Sequence, residues 1–312
     1  MNRMQAYAQL VRLPNLPSAL ADIFLGVLVT GSLTLPGRWP AYLLLMLASV
    51  CLYCGGMAWN DFFDLEQDRR ERPDRPIPSG RITPFHAAVC AAALVTAGVI
   101  LAFLAGVAQA ARGEGSPVAP TVLALLLTGT IFLYDAWLKH TFVGPLGMGM
   151  CRFLNVLLGI TPVAGLLWSR GLYLAIVVGL YIVGVTWLAR TEARASSRRA
   201  LIGAASVMLG SLLMALPLPI LPLPLVPPAE ASSLLFPYLL VGLGFFVGFP
   251  VVAAIRAPTP GRVQSSVKRS LMGLILLDMV LATALAGTVG LVLAVLMAPS
   301  VYLNRRKWLY AT

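Results

Sequence analysis

Charge, histidine and cysteine are all scarce in this sequence. Lys, Arg, Asp and Glu together make up 11% of its 312 residues, against about 25% in soluble domains. With 59% hydrophobic residues and a mean hydropathy of +0.85, that deficit excludes an ordinary soluble domain and makes the bilayer the main solvent. The four cysteines, Cys51, Cys54, Cys90 and Cys151, all lie in apolar segments. Cys51-x-x-Cys54 has metal-like spacing, but no second pair accompanies it and the only histidines are His86 and His140. Small buried residues of membrane helices are therefore the expectation for the cysteines. No pore-lining polar repeat and no internal duplication is evident, which argues against a channel or an inverted-repeat transporter. No cleavable leader is expected, because the mildly basic residues 1–12 run into a stretch long enough to stay as a span.

What is present is a series of apolar runs near the 20 residues that a crossing needs. They fall at about 16–34, 40–59, 84–109, 118–138, 143–167, 171–189, 200–222, 233–255 and 269–298. The seventh ends in a proline-rich stretch from Pro217 to Pro228, read as a helix end and an extended loop. The ninth is long for one span and contains Gly287 and Gly290, so one tilted helix and two short segments both remain open. Nine crossings place sixteen Lys and Arg residues on the side of the amino terminus and six on the other, with Arg152 inside a span. The richer side is expected to be cytoplasmic. Topology thus accounts for most of the net charge of +11, and no nucleic-acid partner is expected. The tail cluster Arg305, Arg306 and Lys307 is the exception, and it fits better if the last run is a hairpin.

The most informative segment is Asn60-Asp61-Phe62-Phe63-Asp64-Leu65-Glu66-Gln67-Asp68, at the end of the second apolar run. Asn60, Asp64 and Asp68 are spaced i, i+4, i+8, and Asp61 lies three before Asp64. A helix continuing through them would point all four to roughly one side. Three carboxylates on one face repel unless a cation neutralises them, and hard oxygen ligands of this kind suit Mg²⁺ shared with substrate phosphates. A solvated loop of alternating charges would explain residues 69–81, but not carboxylates that begin at an apolar helix end.

That segment is followed by Arg75-Pro76-Ile77-Pro78-Ser79-Gly80-Arg81. The pair resembles the first signature of the UbiA family of intramembrane prenyltransferases, N-D-x-x-D-x-x-x-D followed by R-P-[IL]-x-S-G-[RK]. The resemblance implies an isoprenyl diphosphate with its tail in an apolar tunnel and its diphosphate bridged by Mg²⁺ on Asp61, Asp64 and Asp68, assisted by Asn60. Ionisation of the allylic C–O bond would then give a carbocation for a nucleophilic acceptor to capture. Arg75 and Arg81 are candidates to contact phosphate, with positive-inside topology as the plainer account.

Three further segments bear on the resemblance. Tyr134-Asp135-Ala136-Trp137-Leu138-Lys139 closes the fourth run. Family members often have Y-x-x-x-K there, but in this chain Tyr134 stands five before Lys139. Lys139 is a phosphate ligand or a snorkelling lysine, and Tyr134 shields the cation or sits in an interfacial belt. Arg152 and Asn155 lie i, i+3 inside an apolar run, where an arginine points to function. The resemblance implies a pair lining the cavity near the acceptor, and the plainer account pairs Arg152 with a structural carboxylate such as Asp278. The family's second signature, D-x-x-x-D, is changed. Its place reads Arg190-Thr191-Glu192-Ala193-Arg194-Ala195-Ser196, so Glu192 survives opposite Ser196, and either Glu192 holds a second Mg²⁺ weakly or Arg190 and Arg194 replace that metal. This pattern is similar to a divergent, EboC-like branch of the family.

The expectation is an all-α polytopic membrane protein forming one domain over residues 1–312, with about nine transmembrane helices around a central cavity open to the cytoplasmic side. It is expected in a bacterial inner membrane. Its implied partners are an isoprenyl diphosphate, a small-molecule acceptor and the bilayer. The implied catalytic residues are Asp61, Asp64, Arg152, Asn155 and Lys139. Arg75, Arg81, Lys139, Arg190, Arg194 and Tyr134 are the implied substrate contacts, and Asn60, Asp61, Asp64, Asp68 and Glu192 the implied Mg²⁺ ligands. The rival reading is a non-catalytic membrane protein that binds or moves a polyprenyl phosphate.

Overall fold

The computed structural model describes residues 3–31, 36–163, 170–190, 197–220 and 234–306. Among them there is no strand. The helices are α1 (Arg3–Leu10), α2 (Leu16–Val29), α3 (Trp39–Phe63), α4 (Leu65–Glu71), α5 (Pro84–Ala110), α6 (Ala119–Ala136), α7 (Gly144–Ile160), α8 (Arg170–Ala189), α9 (Arg198–Ala215), α10 (Phe236–Arg256), α11 (Pro260–Ala286) and α12 (Met297–Asn304). A 3₁₀ stretch, Gly287–Leu296, joins the last two. Seven described helical segments are long and apolar enough to cross a membrane, or eight if the bent pair α1–α2 counts as one. The fifth predicted run is realised as the shorter, 17-residue α7.

Local sequence sets the starts of two of these helices. Thr83 accepts the backbone N–H of His86 at 3.2 Å, with Pro84 in the first turn of α5. Ser197 does the same for α9 through the N–H of Ala200 at 3.2 Å. Long apolar side chains such as Ile100, Phe103 and Leu104 of α5 face outward, as a lipid-facing helix requires. By contrast, α11 is buried almost continuously from Gly273 to Ala284, so it is a central helix of the bundle.

The crossing of α2 and α7 is very close. A Cβ on Gly26 would stand 2.2 Å from the carbonyl oxygen of Gly159, and one on Gly159 would stand 2.8 Å from Cα of Ile23. Backbone contact of this kind is how membrane helices pack where small residues meet. It brings Asp22 of α2 against Arg152 and Asn155 of α7.

The last apolar run doubles back. Gly287 takes φ +66° after α11, and the backbone at Gly290 lies against that of Thr283. The Ser300 hydroxyl donates to the Pro14 carbonyl at 3.2 Å. Arg305 and Arg306, counted by the nine-crossing topology on the side away from the amino terminus, therefore follow a segment that has returned to the amino-terminal end of α2. The opposite end of the bundle carries an ion pair of Arg38 with Glu114 at 2.9 Å, joined by Arg112 at 3.8 Å.

Candidate active site

The helix does not run through the carboxylate motif. It ends at Phe63 and resumes at Leu65, with Asp64 at the break. Around this break the four side chains share some partners and differ in others. Asn60 Nδ2 donates to Asp135 Oδ1 at 2.9 Å, and Asn60 Oδ1 accepts from Arg12 Nη2 at 2.9 Å. Asp61 Oδ1 takes Arg12 Nη2 at 3.1 Å and Arg75 Nη1 at 3.2 Å. The same Arg75 nitrogen reaches Asp68 Oδ2 at 2.7 Å. Lys139 Nζ stands 2.6 Å from Asp64 Oδ1.

Asp61, Asp68 and Arg75 are all buried. Burial pushes the Asp68 carboxyl up from its ordinary value, and the Arg75 guanidinium opposes that. The loop that delivers Arg75 is held by a small apolar cluster in which Ile77 and Ile82 pack with Ala6 and Leu10 of α1, Ala58 of α3, and Ala87 and Ala91 of α5. Arg81 supports the same loop. It donates to Gln9 Oε1 and Ser79 Oγ, each at 2.8 Å, and to the Asp74 carbonyl. Arg81 thus belongs to the scaffold of the loop, whereas Arg75 enters the carboxylate cluster.

Asp61 and Asp68 meet on a single nitrogen, and each uses one oxygen to do so. That donor set fits Mg²⁺, which takes one or two carboxylates and completes its shell with waters and substrate phosphates. No group of three or more acidic, histidine or cysteine side chains converges tightly enough to hold a metal alone among the described residues. The implied ligand Glu192 and the implied contact Arg194 lie outside the described residues. Arg190 is described. Its guanidinium caps the 138–143 turn by donating to the carbonyls of Phe142, at 3.1 Å, and of Thr141.

Behind the carboxylates lies a cavity with about 560 Å³ of space free of atoms, its open mouth included. Three helices line it at helical spacing: Ser49, Tyr53, Gly56 and Met57 of α3; Leu127, Ile131, Tyr134 and Asp135 of α6; Met148, Cys151, Arg152 and Asn155 of α7. Ala19 of α2 completes it. Asp135, bonded to Asn60, stands where the cavity meets the carboxylate cluster. Ser49 is eleven residues before Asn60 on the same helix, so the two ends lie about 16 Å apart along its axis.

The deep end is polar and tightly bonded. Arg152 Nη1 reaches Asp22 Oδ2 at 3.1 Å, and Nη2 reaches Ser18 Oγ at 2.8 Å. Asn155 Nδ2 donates to Asp22 Oδ2 at 2.7 Å and to the Ala19 carbonyl at 3.0 Å. Ser49 Oγ donates to Asn155 Oδ1 at 2.8 Å. The ion-pair partner of Arg152 is therefore Asp22 and not Asp278. The Asn155 amide is fully occupied by Asp22, the Ala19 carbonyl and Ser49, while Arg152, with further N–H groups, borders the cavity.

The chain as a whole resembles known proteins. Residues 20–272 match the model of the UbiA prenyltransferase family. The chain belongs to that family. It is 38% identical over 140 residues to a digeranylgeranylglyceryl phosphate synthase of Methanothrix thermoacetophila, covering 40% of this chain and 52% of that protein. The synthase of the same name from Methanopyrus kandleri is 35% identical over 147 residues, covering 43% and 53%. The chain thus aligns with about half the length of these curated relatives. A solved structure concerning digeranylgeranylglyceryl phosphate synthase superposes with a TM-score of 0.64 at 17% identity, over 92% of this chain and 99% of that one. The apo structure of a UbiA homologue from Aeropyrum pernix K1 gives 0.62 at 16% identity, over 84% and 94%. These two likenesses show a shared UbiA fold.

Sequence reasoning missed Arg12 and Asp22. Arg12 counts only toward topology until the chain folds it onto Asn60 and Asp61. Asp22 gave a signal that could have been used, as the sole carboxylate inside the first apolar run.

Proposed function

We propose that this protein catalyses the Mg²⁺-dependent transfer of an isoprenyl group from an isoprenyl diphosphate to a small acceptor within the membrane. The observation that carries this reading is the convergence of Asp61, Asp68 and Arg75, with Asp64 and Lys139 beside them, at one end of an apolar-walled cavity. Asp61 and Asp68, with Asp64 beside them, would hold the metal together with waters and the substrate, and the metal would supply neutralisation of the diphosphate leaving group. Arg12, Arg75 and Lys139 each have a charged head at this end and would turn toward the diphosphate oxygens, for which guanidinium geometry is well suited. Leu127, Ile131, Met57 and Met148 give the prenyl chain an apolar wall and keep water from the allylic carbon. Tyr134, whose ring borders the same space, faces the position where positive charge would develop. Arg152 would bind the polar part of the acceptor.

The concentration of Arg and Lys at the carboxylate end supports a cytoplasmic orientation for it. The name of the matched relatives, digeranylgeranylglyceryl phosphate synthase, supports geranylgeranyl diphosphate as the first donor to try. The test incubates purified protein with radiolabelled geranyl, farnesyl or geranylgeranyl diphosphate, Mg²⁺ and a cell extract. Diphosphate release with a new lipid product is expected, and both should vanish in Asp64→Ala. Release that persists in Asp64→Ala defeats the reading, and binding without release favours a non-catalytic carrier.

A further inference from the structure

Two carboxyl groups meet in the middle of the bundle, away from the metal-binding motif. Asp22 lies on α2 and Asp278 on α11, both without solvent exposure, on helices that pack together. Each lies close enough to act on the other's charge. Asp22 Oδ2 is supplied by Arg152 and Asn155. Asp22 Oδ1 and both oxygens of Asp278 receive no N–H or O–H from any described residue. The groups that act on Asp278 are Asp22 and Arg152. Those that act on Asp22 are Arg152, Asn155 and Asp278.

Buried acceptor oxygens without donors are rare in folded proteins. Two carboxylates facing each other in an interior of low dielectric do not both stay ionised, because their repulsion adds to the loss of hydration. One proton shared by the pair removes both difficulties. It supplies the missing donor, and it leaves the pair with a single negative charge opposite the single positive charge of Arg152. The proton belongs on Asp278, because Asp22 is the member already bound to a guanidinium and an amide N–H.

We propose that Asp278 is a carboxylic acid whose O–H donates to Asp22 Oδ1, so that Asp22 is the sole anion opposite Arg152 and fixes that guanidinium against the wall of the cavity. Asp278 is then a positioning residue. It holds Asp22, which holds Arg152, and it touches no substrate. The pair makes the deep cluster electrically neutral, as burial in a bilayer favours, and fits that end of the cavity for an uncharged polar group of the acceptor, a hydroxyl or carbonyl. Only this last consequence rests on the prenyl-transfer reading.

Infrared difference spectroscopy on the full chain in lipid nanodiscs at neutral pH tests the proton directly, with no need for a substrate. The wild type minus Asp278→Asn spectrum should contain a protonated-carboxyl C=O stretch that moves to lower frequency in D₂O. A difference spectrum with carboxylate bands alone means that Asp278 is ionised, and overturns the proposal. Asp278→Glu keeps the acid and should shift this band without removing it. That variant also covers the case in which Asp278→Asn does not fold. In melting experiments Asp278→Asn, a neutral hydrogen-bonding replacement, should shift the transition far less than Asp22→Asn, which deprives Arg152 of its anion. Equal shifts would overturn the assignment of the proton to Asp278. Absence of prenyl transfer by the wild-type protein, with the carboxyl band present, would count against the proposed reaction and leave the pair standing.

Discussion

The Arg12 guanidinium reaches the Asp61 carboxylate at 3.1 Å across 49 residues of sequence. Arg12 sits at the bend between α1 and α2 with φ +48°, a left-handed conformation that costs of order 1–3 kcal/mol for a residue with a side chain. Such a conformation persists where surrounding contacts over-determine it, and the bonds to Asn60 and Asp61 do so. The bend is thus tied to the motif that would bind metal.

Arg12→Gly should separate the two roles. Glycine adopts the backbone freely, so the melting temperature should change little. Loss of the guanidinium should raise the KM for the prenyl diphosphate about 10-fold or more, the effect of removing a charged hydrogen bond of 1.5–3 kcal/mol. A KM equal to that of the wild type would show that Arg12 serves the fold alone.

Replacing Asp61 or Asp64 by alanine should reduce prenyl transfer by about 100-fold or more, the scale seen when a transition-state charge loses its stabiliser. Chelation of Mg²⁺ with EDTA should give a comparable loss in the unaltered protein, restored by added Mg²⁺. Radiolabelled diphosphate release measures both. By contrast Arg81→Gln should keep substantial activity, because the bonds of Arg81 to Gln9, Ser79 and the Asp74 carbonyl hold the loop.

Arg152→Met removes one member of a buried ion pair and leaves Asp22 uncompensated. The expected destabilisation is about 3–5 kcal/mol, read as an earlier thermal transition in detergent. The double replacement Arg152→Met with Asp22→Leu should recover part of that loss, since no buried charge is then left alone. A double variant as unstable as the sum of the two single ones would show that the pair is not coupled.

Gly26→Leu should be among the most damaging changes outside the site. Its Cβ alone would stand 2.2 Å from a backbone oxygen of α7, which cannot be relieved by turning a side chain. Pushing α2 from α7 costs 1–3 kcal/mol or more, as overpacking does, and moves Asp22 away from Arg152. Melting temperature and prenyl transfer should fall together.

Residues 60–81 show how far reading the sequence reached. Carboxylates that begin at an apolar helix end pointed to a cation through local spacing and charge, while the diphosphate was implied by the resemblance of residues 60–81 to the family signature. The break at Asp64 was not legible. Nothing in residues 60–68 themselves opposes a continuous helix, and the partners of their side chains, Arg12, Asp135 and Lys139, come from elsewhere in the chain. The last apolar run likewise left one helix or two open, and only the contacts of Gly290 and Ser300 decided it.

Composition by itself determined the class of protein, since a chain with so few charges and so many long apolar runs can satisfy its backbone in a bilayer only as helices. Spacing made the residues from Asn60 to Asp68 candidates for a cation, and the family resemblance added the diphosphate. Tertiary structure alone decided which cation meets which carboxylate. Arg75 and not Arg81 joins the motif, Asp22 and not Asp278 pairs with Arg152, and Arg12 enters the site from the first bend. Charge attracts without regard to sequence distance, so ionic partners are chosen by which helices cross and how closely, and the glycine contact of α2 with α7 makes that choice for Arg152.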